Sequence, residues 1–287
     1  MDALRSALQP ITHNLPTPLY TIGNNLLGPQ CYKNLILDID PINHPECVKL
    51  GISKGLGIGI IGASAVVKVP QLLKLLNSKS AAGVSFLSYL LETSSFLIAF
   101  AYNARQGNPF STYGESALIA LQNVVISCLV LHYGGKSAGA AVFVAGLAAA
   151  VYAMFKPGVI DEKQMGMLQA GAGLLGIGSK LPQILTIWKE GGTGQLSAFA
   201  VFNFLAGSLA RVFTTIQEVD DPLILYGFIA GFSLNAILAA QMVYYWNSSS
   251  SKKSAPALKV TGVDGEPVVK TGSQINRGKS PTTRRRG

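Results

Sequence analysis

Charged residues are scarce in this sequence. Asp, Glu, Lys and Arg make up 13% of its 287 residues, whereas about a quarter is usual for a soluble globular protein. Apolar residues make up 49%. This composition argues against a soluble domain and predicts a chain whose main solvent is the hydrocarbon of a lipid bilayer.

Histidine and cysteine are also scarce, with three residues of each. His13, His44 and His132 show no metal-ligand spacing, and the sequence contains no G-x-S-x-G motif, nucleophile–base pairing or nucleotide-binding loop. We therefore predict that the protein is not an enzyme and that it uses no metal or other cofactor.

Two stretches, at 57–62 and 171–176, match G-x-G-x-x-G, but no βαβ pattern surrounds either of them. Small residues allow membrane helices to approach closely. We interpret these glycines as helix-packing positions, with Gly55, Gly59 and Ala63 forming one small-residue face.

The net charge of +9 is concentrated near the C-terminus. Residues 247–287 contain nine Lys and Arg against Asp264 and Glu266, which accounts for +7 of the total. This segment carries Ser, Gly and Pro and has too few apolar residues to form a core. We predict a disordered basic tail beside a membrane and no interaction with nucleic acid.

Seven mostly apolar stretches have the length of about 17 to 25 residues that crosses a bilayer. Turn-forming residues separate them. They lie near 50–69, 84–104, 114–133, 138–155, 165–181, 197–217 and 223–246. We therefore predict an all-α membrane protein of seven transmembrane helices, preceded by an irregular or partly helical cap at residues 1–49.

An internal repeat appears without gaps when the sequence is shifted by 112 residues. Lys68-Val69-Pro70-Gln71 then falls on Lys180-Leu181-Pro182-Gln183, and Asn123 falls on Asn235. The pattern predicts two three-helix repeats, at 50–137 and 162–246. We expect the helix of residues 138–161 to link them.

One linker helix returns the chain to the same side of the membrane, so the two repeats of this 3+1+3 arrangement should be parallel. Parallel repeats are related by an axis along the membrane normal, and their substrate path lies at the repeat interface. The positive charges indicate the orientation. Fifteen Lys and Arg lie on the side of the tail and seven on the other, with Arg211 set apart inside a span. This predicts a cytoplasmic C-terminus and a lumenal N-terminus.

The two Lys-x-Pro-Gln motifs on a 3+1+3 layout resemble the PQ-loop family, which includes SWEET sugar transporters and lysosomal amino-acid exporters. Within residues 31–247, further stretches are similar to the branch of that family that acts in mannose-P-dolichol utilization. They are Ser53-Lys54-Gly55-Leu56-Gly57, Pro109-Phe110-Ser111, Gly114-Glu115, Gly194-Gln195-Leu196-Ser197-Ala198, Gly207-Ser208-Leu209-Ala210-Arg211 and Ile216-Gln217-Glu218.

This resemblance implies a protein of the endoplasmic-reticulum membrane that is required for the use of dolichol-phosphate-mannose and dolichol-phosphate-glucose. The lumenal products would be N-glycans, GPI anchors and O-mannose. Its partners would be dolichol-phosphate-linked sugars, membrane lipids and lumenal glycosyltransferases. Two alternatives stay open: a PQ-loop transporter of a small free solute, such as a sugar or a cationic amino acid, and a non-transporting adaptor or chaperone of glycosyltransferases.

Proline at Pro70 and Pro182 removes a backbone hydrogen bond, so we expect each to end or kink its helix. The amides of Gln71 and Gln183 could satisfy the freed carbonyls, which would be a structural role. Alternatively, the kinks could be hinges of a substrate path.

Lys68 and Lys180 lie about one turn from the ends of their helices. They either extend to lipid phosphates or bind the phosphate of a dolichol-linked sugar. Glu92 and Arg211 lie inside predicted spans, where a charge needs a partner or water. Glu92 is too far along the repeat to pair with Arg211, and Glu115 is at a better depth. These charges form structural ion pairs or contact a sugar or phosphate.

Asn123 and Asn235 are matched by the repeat, and we place them on the candidate substrate path. Cys31 and Cys47 lie on the predicted lumenal side, in a compartment that permits oxidation. They either form a disulfide across the cap or remain free thiols, because two cysteines in one segment do not establish pairing geometry.

Overall fold

The computed structural model divides into two compact units, Met1–Trp246 and Asn247–Gly287. The residues that the structure describes are 2–178, 180–193, 198–246, 260–261 and 267–268.

In the second unit, β1 (Val260–Thr261) and β2 (Pro267–Val268) form a short antiparallel pair. The rest of the basic tail lies outside the described residues, so its disorder stays a prediction.

The N-terminal cap is helical. It contains α1 (Asp2–Thr12), α2 (Thr17–Tyr32) and a π-helical turn, Lys33–Leu37. Gly28 kinks α2, because its φ of 75° is a conformation that glycine adopts without steric cost. A disulfide joins Cys31 to Cys47 with a Cα–Cα distance of 5.1 Å, so it links α2 to the start of the next helix.

Polar contacts hold α1 against the end of the cap. Arg5 donates from Nε to the Asp38 carbonyl at 2.8 Å and pairs with Asp40 at 3.4 Å. The amide of Asn43 donates to the Asp40 carboxylate at 2.8 Å, and this hydrogen bond lowers the pKa of Asp40.

Among the described residues, nine helices follow the cap, and the first begins at Pro45, five residues before the first predicted span. They are α3 (Pro45–Ser64), α4 (Val69–Ser78), α5 (Phe86–Arg105), α6 (Gly114–Tyr133), α7 (Ser137–Phe155), α8 (Glu162–Gly178), α9 (Leu181–Glu190), α10 (Ala198–Glu218) and α11 (Pro222–Tyr244). A 3₁₀ turn, Phe110–Thr112, precedes α6.

Five helical stretches of the described chain are long and apolar enough to cross a membrane: Pro45–Ser78, α6, α7, α10 and α11. Helices α5 and α8 occupy the positions of two further predicted spans. The middle of α5 carries Glu92, Thr93 and Ser94, and α8 has 17 residues. The predicted all-helical, multi-pass character is confirmed for the first unit, whereas the count of seven spans stays a prediction.

Both Lys-x-Pro-Gln motifs lie where one helix ends and a shorter one begins. Pro70 is the second residue of α4, and Pro182 is the second residue of α9. The first turn of a helix has free N–H groups, so proline loses no hydrogen bond there. The prolines therefore end the long helices and start new ones.

The two repeats pack against each other through two helix pairs, each with one helix from either repeat. Helix α10 of the second repeat packs on α3, and α8 packs on α5. These two interfaces correspond to each other in the repeat. Many large apolar side chains are exposed on the outside of the bundle, such as Trp188, Phe199 and Val142. A bilayer around the bundle would cover these side chains.

The predicted small-residue face is wrong. A Cβ atom added to Gly55 or Gly59 would meet nothing within 4 Å in the described structure, and both residues are exposed. Helix α3 instead packs through Ser53, Gly57 and Ser64, which are buried. Gly55 and Gly59 each lie two residues from Gly57, about 200° of helical rotation, so the predicted and observed faces are on nearly opposite sides of α3. The spacing of small residues does not determine which side is packed.

Candidate functional site

The first Lys-x-Pro-Gln motif contains a closed ion pair. The Lys68 ammonium donates to both carboxylate oxygens of Glu92, at 2.7 and 3.0 Å. It also lies 5.4 Å from the centroid of the Tyr89 ring. The Lys68 charge is therefore already neutralised within the first repeat.

The second motif has a different environment. The Lys180 ammonium donates to Oδ1 of Asn235 and lies 5.5 Å from the centroid of the Phe204 ring. Asn235 also donates to the Phe204 carbonyl at 3.1 Å. In the described part of the chain, no carboxylate lies within ion-pair distance of Lys180.

The internal repeat explains this difference. A shift of 112 residues places Lys68 on Lys180 and Glu92 on Phe204. The two lysines occupy equivalent positions, but the carboxylate that neutralises the first is replaced by an aromatic ring beside the second.

A cavity of about 220 Å³ lies beside Lys180. We call it the Lys180 pocket. It is lined by Lys180, Gln183, Ala200, Val201, Phe204, Asn235 and Leu238.

Gln122 and Gln241, rather than Gln71 and Gln183, satisfy backbone groups at the helix breaks. Gln122 donates to the Ser64 carbonyl at 2.8 Å and accepts from the Lys68 backbone N–H at 3.1 Å. Gln241 donates to the Ile184 carbonyl at 3.1 Å. Of the two roles left open for the motif glutamines, the bonding of freed backbone groups is taken in the described structure by side chains on α6 and α11, which reach the breaks from neighbouring helices.

Four charges form a cluster at the other end of the bundle, where α3 meets α10. Lys54 pairs with Glu218 at 2.6 Å, and Arg211 pairs with Glu115. We call these four residues the ionic cluster. Its two cations and two anions balance, and all four side chains are at most 14% exposed.

The 3₁₀ turn before α6 connects the two pairs. The Ser111 hydroxyl contacts Glu218 at 3.0 Å and accepts from Lys54 at 3.1 Å. Its carbonyl accepts from Arg211 at 3.3 Å. Only glycine fits at position 57, because a Cβ there would lie 2.5 Å from the Ser111 carbonyl oxygen.

A larger cavity of about 430 Å³ lies between α5, α6, α8 and α11. We call it the central cavity. Its walls are mostly apolar, and its polar lining includes the amides of Asn103 and Gln169 and the carboxylate of Glu115. Leu174 and Tyr226 line it and are 68% and 69% exposed, so it opens to the outer surface of the bundle between α8 and α11.

The repeat also explains why this space is empty. The shift of 112 residues places Ala99 on Arg211 and Glu115 on Gly227. Ala99 and Gly227 both line the central cavity. An ion pair between Glu115 on α6 and Arg211 on α10 fills the corresponding position, whereas Ala99 on α5 and Gly227 on α11 are small and leave open space.

The two predicted substrate-path asparagines lie in different environments. Asn235 lines the Lys180 pocket. Asn123 is fully buried, and its amide atoms have no hydrogen-bond partner among the described residues. It lines neither of the two cavities, so the structure does not bring the pair together at one of them.

The positions of charged residues along the predicted spans indicated the Arg211–Glu115 ion pair, but two other ion pairs were missed. Lys54–Glu218 joins residues 164 apart, and Lys68–Glu92 crosses from one helix to the next. Tyr102 also donates to Asp221 at 2.6 Å. Lys54 and Glu218 lie at the same end of their predicted spans, and this shared depth was the available signal.

The fold and the paired motifs define a class: a multi-pass helical membrane protein built on two repeats. The family described as "PQ loop repeat" matches residues 52–112 and 165–224. The human protein "Solute carrier family 66 member 3" is similar, with 26% identity over 185 residues, covering 64% of this chain and 90% of the relative.

A solved structure of a eukaryotic SWEET transporter is similar in fold. Its TM-score is 0.55 at 16% sequence identity, and the match covers 69% of this chain and 97% of that one. The chain therefore contains two segments that match the PQ-loop repeat, and it has a SWEET-like fold.

Proposed function

We propose that this PQ-loop protein moves or presents dolichol-phosphate-mannose and dolichol-phosphate-glucose in the endoplasmic-reticulum membrane. The sugars would serve the lumenal synthesis of N-glycans, GPI anchors and O-mannose. This proposal includes seven spans in a 3+1+3 arrangement, a lumenal N-terminus, a cytoplasmic tail and no enzymatic step.

The opening of the central cavity is the observation that carries this proposal. A lipid-linked sugar has to enter a binding site from the bilayer, with its isoprenoid chain still in lipid. The central cavity opens at Leu174 and Tyr226, on the surface of the bundle that faces outward. The amides of Asn103 and Gln169 provide hydrogen-bond donors and acceptors for sugar hydroxyls within apolar walls.

A cation lies close to this cavity along the chain. Ile177, in the last turn of α8, lines the central cavity, and Lys180 follows three residues later. The phosphate of a lipid-linked sugar could therefore reach a positive charge from a site near the cavity. This arrangement supports an anionic lipid as substrate.

A reconstituted assay tests the proposal directly. The purified full chain is placed in vesicles, and movement of dolichol-phosphate-mannose between leaflets is measured. We expect faster movement than in protein-free vesicles. In cells that lack the protein, expression of the chain should restore mannosyl transfer.

Filling the cavity provides a matched pair of variants. A Cβ at Gly227 or at Gly231 would meet nothing within 4 Å, so both positions of α11 have open space where a side chain begins. Only Gly227 lines the central cavity. We expect Gly227→Leu to block function and Gly231→Leu to retain it at equal abundance. Equal activity of the two variants would contradict the proposal.

A transporter of small free solutes is the second candidate, and the size of the central cavity favours it. Its volume of about 430 Å³ lies in the range of roughly 300 to 1,000 Å³ typical of small-molecule sites. The names of the two similar proteins, a solute carrier and a SWEET transporter, also fit movement of a substrate. Uptake of free sugars or cationic amino acids into the same vesicles separates this candidate from the first. If Gly227→Leu loses neither movement of the lipid-linked sugar nor uptake of a free solute, the result would favour a non-transporting adaptor of glycosyltransferases.

A further inference from the structure

The two equivalent lysines have diverged in charge environment. The Lys68 ammonium donates to both oxygens of a single carboxylate, that of Glu92, at 2.7 and 3.0 Å. Lys180 has an amide oxygen and an aromatic ring. The Lys68 position is therefore a neutral ion pair, whereas the Lys180 position holds a positive charge with no carboxylate partner among the described residues.

A charge in this position has an energetic consequence. Lys180 is only partly exposed, in a pocket whose other walls include Val201, Phe204 and Leu238. An ammonium without a counter-ion in apolar surroundings is costly, and an anion that enters the pocket removes part of that cost.

Gln183 supplies a second group that can bind an anion. It lines the Lys180 pocket, and its amide makes no hydrogen bond with any other described residue. An amide N–H and an ammonium on one wall can both donate to phosphate oxygens. Asn235 holds the ammonium in place from the opposite helix, α11.

The pocket is large enough for such a group. Its volume of about 220 Å³ is several times the roughly 30 Å³ that a water molecule occupies in the liquid. The pocket can therefore accept a phosphate with its attached oxygens.

We propose that the break between α8 and α9 is the anion site of this protein, in which Lys180 and Gln183 bind a phosphate group. The equivalent break between α3 and α4 is closed to anions by Glu92. This inference deepens the proposed function, because it assigns the phosphate of the lipid-linked sugar to one repeat only.

A carboxylate introduced beside Lys180, as the first repeat has beside Lys68, tests the assignment. Phe204→Glu places a carboxylate beside Lys180 at the position that Glu92 has beside Lys68, and Phe204→Gln changes the same side chain without adding charge. The purified full chain is reconstituted in phosphatidylcholine nanodiscs, and its affinity for dolichyl phosphate is measured. Uncharged dolichol and soluble inorganic phosphate serve as the other two probes.

We expect Phe204→Glu and Lys180→Gln to weaken dolichyl phosphate binding by about tenfold or more, which corresponds to about 1.4 kcal/mol. Phe204→Gln should bind better than Phe204→Glu. Should Phe204→Glu fail to fold, Lys180→Gln and Gln183→Leu provide the same comparison. The Lys68→Gln/Glu92→Gln double variant discriminates between the two lysines and should bind as the wild type does.

The outcomes separate this inference from the proposed function. Wild-type affinity for dolichyl phosphate in Lys180→Gln, or an equal loss in the Lys68→Gln/Glu92→Gln variant, would overturn the anion site and leave the proposed function standing. Lys180-dependent binding of inorganic phosphate without any binding of dolichyl phosphate would support the anion site and overturn the lipid-linked substrate.

Discussion

Glu218 is 2% exposed in its side chain and accepts hydrogen bonds from the hydroxyl of Ser53 and the ammonium of Lys54. A charge this deeply buried is stable only with its partners in place. The pair also joins the first and second repeats, since Lys54 lies on α3 and Glu218 ends α10. Its role is therefore structural, and it differs from that of Lys180.

We expect Lys54→Met to destabilise the protein by about 3 kcal/mol, because it leaves the Glu218 carboxylate buried without its cation. Thermal unfolding in detergent measures the effect. Lys49→Met, at an exposed position on the same helix, is the matched control and should change stability little.

The Lys54→Met/Glu218→Met double variant should be more stable than Lys54→Met alone, because no charge is then left unpaired. A double variant that is destabilised relative to the wild type by the sum of the two single-variant effects would show that the two residues act independently.

At the level of secondary-structure elements, the two helix breaks distinguish the repeats. Both Lys-x-Pro-Gln motifs start short helices, α4 and α9, after a break in a longer helix. Residues 65–68 separate α3 from α4, whereas two residues separate α8 from α9. Proline determines that a break occurs, and the side chains that reach it from α6 and α11 determine its shape.

Replacing Pro182 by Ala tests whether the second break is a hinge. Alanine supplies an N–H group and favours a continuous helix across residues 178–182. If the break is part of a substrate path, Pro182→Ala should fold and reach its membrane but lose dolichol-sugar use. Abundance is measured beside mannosyl transfer in cells that lack the protein.

Pro70→Ala is the matched variant in the first repeat. Because Lys68 is already paired with Glu92, we expect it to lose less function than Pro182→Ala. Normal function in a well-expressed Pro182→Ala variant would reduce the break to a structural feature.

The disulfide joins two elements of the cap. It closes a sequence separation of 16 residues between α2 and the start of α3. A loop of that length is expected to contribute about 3 kcal/mol when closed. We expect a thiol reagent to label only Cys128 in unreduced, denatured protein.

After reduction, labelling of Cys31 and Cys47 should appear as well, and a Cys31→Ser variant should label at Cys47 without reductant. Labelling of all three cysteines before reduction would show that the native protein keeps free thiols in the cap.

At the scale of the whole molecule, orientation in the membrane is the property that charge predicts. Asn247-Ser248-Ser249 has the pattern of an N-glycosylation site and lies at the start of the basic tail, outside the described residues. The distribution of Lys and Arg predicts that this tail lies in the cytosol, where such a site would not be modified.

We therefore expect Asn247 to carry no glycan, and treatment with a glycosidase should leave the electrophoretic mobility of the protein unchanged. An engineered Asn-x-Ser site in the α1–α2 loop should be glycosylated and provides the positive control. A glycan on Asn247 would show that the predicted orientation in the membrane is wrong.

The sequence by itself determined the class of this protein. Apolar stretches, prolines and the 112-residue repeat are local or periodic features, so the all-helical repeats and both helix breaks could be predicted from them. Burial of Arg211 and its pairing with Glu115 followed from depth along the spans, a quantity that each helix carries in its own sequence.

Only the tertiary structure decided which helices are neighbours and which faces they share. Glu92 pairs with Lys68 because Lys68, just after the end of α3, reaches α5. Glu218 pairs with Lys54 because α10 packs against α3. Spacing along one helix cannot indicate a partner on another, and the spacing of small residues placed the packing face of α3 on nearly the opposite side of the helix. For the same reason the sequence did not predict the central cavity, because Ala99 and Gly227 line one space only when α5 and α11 both pack on α8.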